Sequence, residues 1–248
     1  MSTNDLLTSL FDGRSHLLVQ PVAAWLASSR PFTAFVTTFH DKIRKKLRTT
    51  QDPESLLDLR LELETAYLLL RERSFSLVYE PQLGGKLRGP DFAVSFTTSL
   101  TFMLEVTRLR AAARESSTPF PQAESVKAPA SNDGRLADTI CTKLGQLLPQ
   151  FSNVLLVELE SPWMAQADLH ATMLFIRQRA EGNDLAFLQR YRFRDRTGFF
   201  QQYQRLSEVL LRAADPQTAA PLVAWVNPQA RKTLPGKVRS ALYRGLGP

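Results

Sequence analysis

The stretch Pro90-Asp91-Phe92-Ala93-Val94-Ser95-Phe96-Thr97-Thr98-Ser99-Leu100-Thr101-Phe102-Met103-Leu104-Glu105-Val106-Thr107 decides how this chain is read. Apolar residues fall at every second position on both arms: Phe92, Val94 and Phe96, then Leu100, Phe102, Leu104 and Val106. That period is the signature of a β-strand, and Thr97-Thr98-Ser99 is the natural turn between two of them. The spacing predicts a hairpin in which Phe96 faces Leu100, Val94 faces Phe102, Phe92 faces Leu104 and Ser95 faces Thr101. The same register sets Asp91 opposite Glu105, and a slip of one residue would mix the two faces. Opposed side chains on one face have Cβ atoms about 4.5–5.5 Å apart. Two carboxylates that close repel unless a cation lies between them, and a divalent ion is the usual solution.

Working outward, Asp52-Pro53-Glu54 is a helix start, with an N-cap aspartate, proline at the first position and an acid in the first turn. That helix is expected to run to about Arg73, with Leu56, Leu59, Leu63, Ala66 and Leu70 on one face and Asp58, Glu62 and Thr65 on another. Ser74 to Glu80 reads as a strand ended by Pro81, and Gln82 to Pro90 as a loop. Residues 115–134, rich in Ser, Pro and Ala, read as a mobile loop or lid. Arg135 to Leu148 is predicted helical, and the apolar run Asn153 to Leu159 reads as a central strand covered on both faces. Ala165 to Arg179 and Asp184 to Ala214 are read as helices, Leu222 to Val226 as a last strand, and Gly236 to Leu242 as a short helix. Residues 15–48 read as two helices broken near Ser28-Ser29-Arg30-Pro31. The expected fold class is α/β, a mixed β-sheet flanked by helices with extra N-terminal and C-terminal helices. Residues 1–50 would be a helical extension packed on a core of residues 51–248, forming one unit.

This order and these residues resemble the PD-(D/E)xK nuclease superfamily, the restriction-endonuclease-like fold, over about residues 52–160. Its αβββαβ core carries an aspartate at the start of the second strand and Glu-x-Lys on the third. Pro90-Asp91 supplies the first part here and Glu105-Val106-Thr107 the second. The family often adds a glutamate on the first core helix, where Glu62 matches best and Glu64 second. The resemblance implies phosphodiester hydrolysis with Mg²⁺ or Mn²⁺ held by Asp91 and Glu105, with the Val106 carbonyl and Glu62 as accessory ligands. The chain departs from the family at Thr107, which stands where the motif has lysine and supplies no positive charge. In some relatives that lysine comes from the following helix. Lys143 is the candidate, on a polar stripe with Thr139, Gln146 and Gln150, and its other reading is an ordinary surface lysine. Lys86, Arg88 and Arg108 are weaker candidates.

The bulk numbers agree with a polyanion partner. The 248 residues carry a net charge of +7, and the basic residues are clustered. Asp41 to Arg48 holds five bases and one acid, Arg177 to Arg196 holds six arginines, and no acid follows Asp215. Acids gather instead between Asp52 and Glu105, the layout expected of a metal-dependent enzyme on nucleic acid, DNA ahead of RNA. Lys45, Lys46, Lys86, Arg88, Arg190 and Arg194 are the charges expected to hold a substrate backbone. The aromatics Phe187, Tyr191 and Phe193 among those arginines either stack on bases or pack inward. Glu158 and Glu160 either extend the acidic cluster or pair with arginines. A single cysteine, Cys141, excludes an intrachain disulfide or a cysteine-based zinc cluster and reads as a small buried residue. His16, His40 and His170 lack metal-ligand spacing. No segment reaches the ~18 apolar residues of a membrane span, and Leu17 to Ala27 lacks the basic flank of a signal peptide, so a cytoplasmic protein is expected. A homodimer is open. Two alternatives stand beside the nuclease: a catalytically inactive nuclease-fold protein that binds nucleic acid or a protein partner, and a helical interaction protein whose acids are only surface.

Overall fold

The computed structural model describes residues 2–82, 89–97, 100–109, 132–215 and 220–247. Four helices come first: α1 (Thr3–Phe11), α2 (Val19–Ser28), α3 (Arg30–Thr38) and α4 (His40–Thr49). Then follow α5 (Pro53–Arg71), the strands β1 (Phe75–Tyr79), β2 (Phe92–Phe96) and β3 (Leu100–Arg108), and α6 (Asn132–Leu144). Next are β4 (Asn153–Leu159), α7 (Ser161–Met164), α8 (Leu169–Glu181), α9 (Leu185–Arg190) and α10 (Arg196–Tyr203). The described chain closes with β5 (Leu206–Ala213), β6 (Val223–Val226) and α11 (Gly236–Leu246).

The strands form one six-stranded sheet in sequence order. β3, β4 and β5 run parallel and the other neighbours antiparallel, so the protein is α/β with an open mixed sheet flanked by helices. The hairpin register is the one predicted, with Phe92, Val94, Ser95 and Phe96 facing Leu104, Phe102, Thr101 and Leu100. Alternation then sorts the core. Val94, Phe102, Leu104, Val154 and Leu156 face a cluster shared with α1 to α5 and α11. Leu155, Val157, Leu206, Val209 and Leu211 face the cluster of α6, α8, α9 and α10. Helices α1 to α4 therefore contribute to the same apolar core as the sheet.

Local chemistry explains most boundaries. Asp52 caps α5 by accepting from the Ser55 N–H at 2.8 Å, and Pro53 occupies the first turn, where no N–H is needed. Every residue of β4 is buried, as a parallel strand covered on both faces requires. Three expectations change. The 15–48 segment holds three helices, with a second break at Phe39 beside the one at Ser29, and α1 precedes them. Ala165 to Arg179 starts late, at Leu169, because Asp168 caps there by accepting from the Ala171 N–H. Asp184 to Ala214 is two short helices and then a strand. Leu206–Ala213 pairs parallel with β4, a central place for a run whose length fits strand or helix equally. Of the segment 115–134, residues 115–131 lie outside the described residues, and 132–134 open α6. The arginine-flanked aromatics pack inward: Phe187, Phe193 and Phe199 are buried in one ring cluster. Burial also pushes the Cys141 thiol up, which leaves it an inert core group. Among the described residues no helix is long and apolar enough to cross a membrane.

β5 carries a fully buried acid, Glu208. Arg239 of α11 donates to its Oε1 at 2.6 Å and the Tyr243 hydroxyl to its Oε2 at 2.8 Å. Removing one partner of a buried ion pair leaves an uncompensated charge, so Arg239→Met should cost about 3–5 kcal/mol. Urea unfolding checks this; a loss within error of zero would show that α11 does not depend on the pair.

Candidate functional site

β2 and β3 end together at one rim of the sheet, and the sequence dictates how. Extending the hairpin register sets Val106 opposite Pro90. In an antiparallel ladder a residue directs its N–H and C=O to the same neighbour. Met103 and Leu109 spend their N–H groups on the β4 side, so the even-numbered Val106 points its own toward β2. Pro90 has no N–H to give, so the ladder offers the Val106 carbonyl no donor there. The Val106 N–H is taken instead by the Asp91 carboxylate, with Oδ2 at 2.7 Å. One proline thus ends the ladder, fastens Asp91 beside β3 and leaves a main-chain oxygen for other use.

Alternation sends Asp91 and Glu105 to the same side of the sheet, the side of Ala93 and Met103, which pack with Leu148 below α6. Glu105 is buried, and Lys143 of α6 donates to its Oε1 at 2.6 Å. The lysine side chain is 18% exposed. It stands between being buried and being free. Thr107, two residues on from Glu105, lines the same cavity as Asp91, Val106 and Lys143. That cavity holds about 440 Å³ and is also walled by Asp58, Glu62, Arg108, Arg135, Asp138 and Thr139. Burial, then the neighbouring Glu105 and Glu62 carboxylates, hold the Asp91 carboxyl well above the usual range; the Val106 N–H and Lys143 pull only part of the way back.

Glu62 reaches the cavity from α5, but its Oε2 is engaged. The Tyr79 hydroxyl donates to it, and Lys46 of α4 donates to it at 2.7 Å. Lys46 also meets Glu80 Oε1 at 2.7 Å. Among the described residues no three His, Cys, Asp or Glu side chains are grouped as a metal cage. Glu62 lines the cavity together with Asp91, but Lys46 and Tyr79 hold its Oε2. The remaining donor set is two carboxylates and the Val106 carbonyl. Mg²⁺ and Mn²⁺ accept such a set, since hard cations take one or two carboxylates and complete their shell with water and phosphate. Asp91 Oδ1 and Glu105 Oε2 have no protein partner among the described residues.

The other expected residues fall in several places. Glu64 faces away and pairs with Arg212 at 2.9 Å. Arg212 also holds Glu158 at 2.7 Å, so Glu158 is an arginine partner. Arg108 meets Glu54 and Glu158 at 3.3 and 3.8 Å. Lys45 leaves the other side of α4, beside Arg44 and Arg48. Arg190 pairs with Asp138 at the cavity wall, and Arg194 pairs with Asp195 on the surface. Lys86 and Arg88 lie outside the described residues. Sequence reasoning missed Tyr79 and Glu80; the signal was a strand ending in Tyr-Glu beside a helix with Lys42 and Lys46 one turn apart. No family model, curated protein or solved structure matches the chain.

The raised Asp91 carboxyl makes a signed prediction. The folded chain binds this proton more tightly than the unfolded chain, so stability falls as pH rises from the ordinary carboxylate range through the folded value. Asp91→Asn keeps an oxygen for the Val106 N–H and removes the charge. In EDTA the variant should unfold at higher urea than wild type at neutral pH, with the gap closing below the carboxylate range. A variant less stable than wild type at neutral pH would show that Asp91 is not electrostatically strained.

Proposed function

We propose that this protein is a metal-dependent nuclease of the PD-(D/E)xK kind, acting on DNA in preference to RNA. The single observation that carries the reading is Lys143 Nζ at 2.6 Å from Glu105, in the cavity that Thr107 and Asp91 line. An ammonium from the next helix stands where the motif's own lysine is missing. The run α5, β1, β2, β3, α6, β4 supports the reading, since it is the αβββαβ order that the resemblance implies.

Asp91, Glu105 and the Val106 carbonyl would hold Mg²⁺ or Mn²⁺, which when bound polarises a phosphoryl group and makes water a better nucleophile at neutral pH. The protein's own part is positional. Pro90 and the Val106 N–H fix Asp91. Lys143 holds Glu105 in place, and its remaining N–H groups are able to orient an attacking water or offset phosphate charge. Arg135, Arg108 and Lys143 set positive charge against Asp58, Glu62, Asp91 and Asp138 in the cavity wall, which favours a phosphodiester drawn in against a bound cation. Along one face of α6, Arg135 and Lys143 bring positive charge to the cavity, while the Thr139 hydroxyl between them already donates to the Arg135 carbonyl at 3.0 Å.

Cleavage of duplex and single-stranded DNA with Mn²⁺ tests the proposal. Asp91→Asn and Glu105→Gln should abolish cleavage, and Lys143→Met should lower it on the order of a hundredfold, with DNA affinity little changed. Equal cleavage by wild type and Asp91→Asn would contradict it. Salt-sensitive DNA binding without cleavage by wild type would favour an inactive descendant of the fold.

A further inference from the structure

We propose that Lys46 is the site's built-in second cation, so that the cavity takes one divalent ion rather than two. The inference rests on the metal-dependent reading above and deepens it. Sites with two metals place them about 3.5–4 Å apart and need carboxylates to serve both. Two pairs of carboxylates meet at this cavity without forming one cluster: Asp91, which lines it, with Glu105 across the hairpin, and Glu62, which also lines it, with Glu80 through Lys46. The second pair already shares a cation, for Lys46 Nζ lies 2.7 Å from Glu62 Oε2 and 2.7 Å from Glu80 Oε1. It also sits 4.9 Å from the centre of the Tyr79 ring, whose hydroxyl donates to the same Glu62 oxygen. Two carboxylates and an aromatic face surround one compact ammonium, which uses its donors as a bound ion would use its coordination sites.

The neighbourhood holds that ammonium in place. Lys42, one turn earlier on α4, donates to the carbonyls of Tyr79 and Glu80, at 3.0 Å each. Glu80 has a left-handed backbone, φ 45°, an uncommon conformation for a residue with a side chain. Its N–H reaches the Asp91 carbonyl at 2.8 Å. The corner that carries Glu80 is thus tied to α4 by two lysines and to Asp91 by the main chain. A second ion would have to expel Lys46. Lys46 is then a positioning residue supplied from outside the αβββαβ run, and it sets metal stoichiometry.

Calorimetric and electron-paramagnetic titration of the full chain with Mn²⁺ tests this without any substrate. Wild type should bind one ion. Lys46→Met should gain a second, with a dissociation constant below about 1 mM, while Lys46→Arg, which keeps the charge, should stay at one. Glu62→Gln should still bind one ion, within about threefold of the wild-type affinity, because Glu62 is not a ligand. Two ions on wild type, or one ion on a folded Lys46→Met, would overturn the role of Lys46 alone. A loss of more than about tenfold in Glu62→Gln would make Glu62 a ligand and also overturn it. No Mn²⁺ on wild type would overturn both this inference and the metal reading. Should Lys46→Met fail to fold, the wild-type stoichiometry and the Glu62→Gln affinity still decide.

Discussion

The end of the β2–β3 ladder at Pro90 is the constraint on which the rest of the site depends. A residue with a donor there would pair with Val106, continue the sheet and leave Asp91 as one more strand side chain. Because Pro90 cannot donate, the ladder stops, and the Asp91 carboxylate takes over the Val106 N–H at 2.7 Å. Two carboxylates are then held on one face at a sheet rim, where their repulsion is unrelieved by the hairpin itself. The fold spends several contacts elsewhere to tolerate that arrangement.

Those contacts come from both layers. Lys143 reaches Glu105 from α6, and Lys46 reaches Glu62 and Glu80 from α4 on the other side of the sheet. Each lysine is only partly exposed, so each ion pair is worth more than a surface pair, while the ammonium keeps some contact with water. Asp91, which lacks a lysine of its own, bears the residual strain. That distribution of charge is uneconomical for stability, and it concentrates an unmet demand for positive charge in one cavity. Strain of this kind gathers where a protein binds or reacts.

Much of the sheet was legible because side-chain period is a strong signal. The hairpin register followed residue by residue from Phe92, Val94, Phe96 and their partners, since any slip would have turned Phe102 and Leu104 to the wrong face. β4 was legible as an unbroken apolar run, and α5 from its Asp-Pro cap. β5 was not, because Leu206–Ala213 interrupts its apolar run with Glu208, and the arginine and tyrosine that satisfy that acid lie 31 and 35 residues away. At the candidate site, Asp91, Thr107 and Lys143 line one cavity and Glu105 meets Lys143, a juxtaposition legible from strand parity and helix facing. The true use of Lys46 was hidden. A basic helix reads the same whether its lysines meet phosphate or, as at Lys46, a glutamate sixteen residues along the chain.

Where a hard cation binds decides the function of this site. Crystals grown with Mn²⁺ and measured at its absorption edge answer that directly. The account predicts one anomalous peak, about 2.0–2.3 Å from an oxygen of Asp91, an oxygen of Glu105 and the Val106 carbonyl, with Lys46 still on Glu62 and Glu80. A structure at saturating Mn²⁺ with no peak between Asp91 and Glu105 would contradict it.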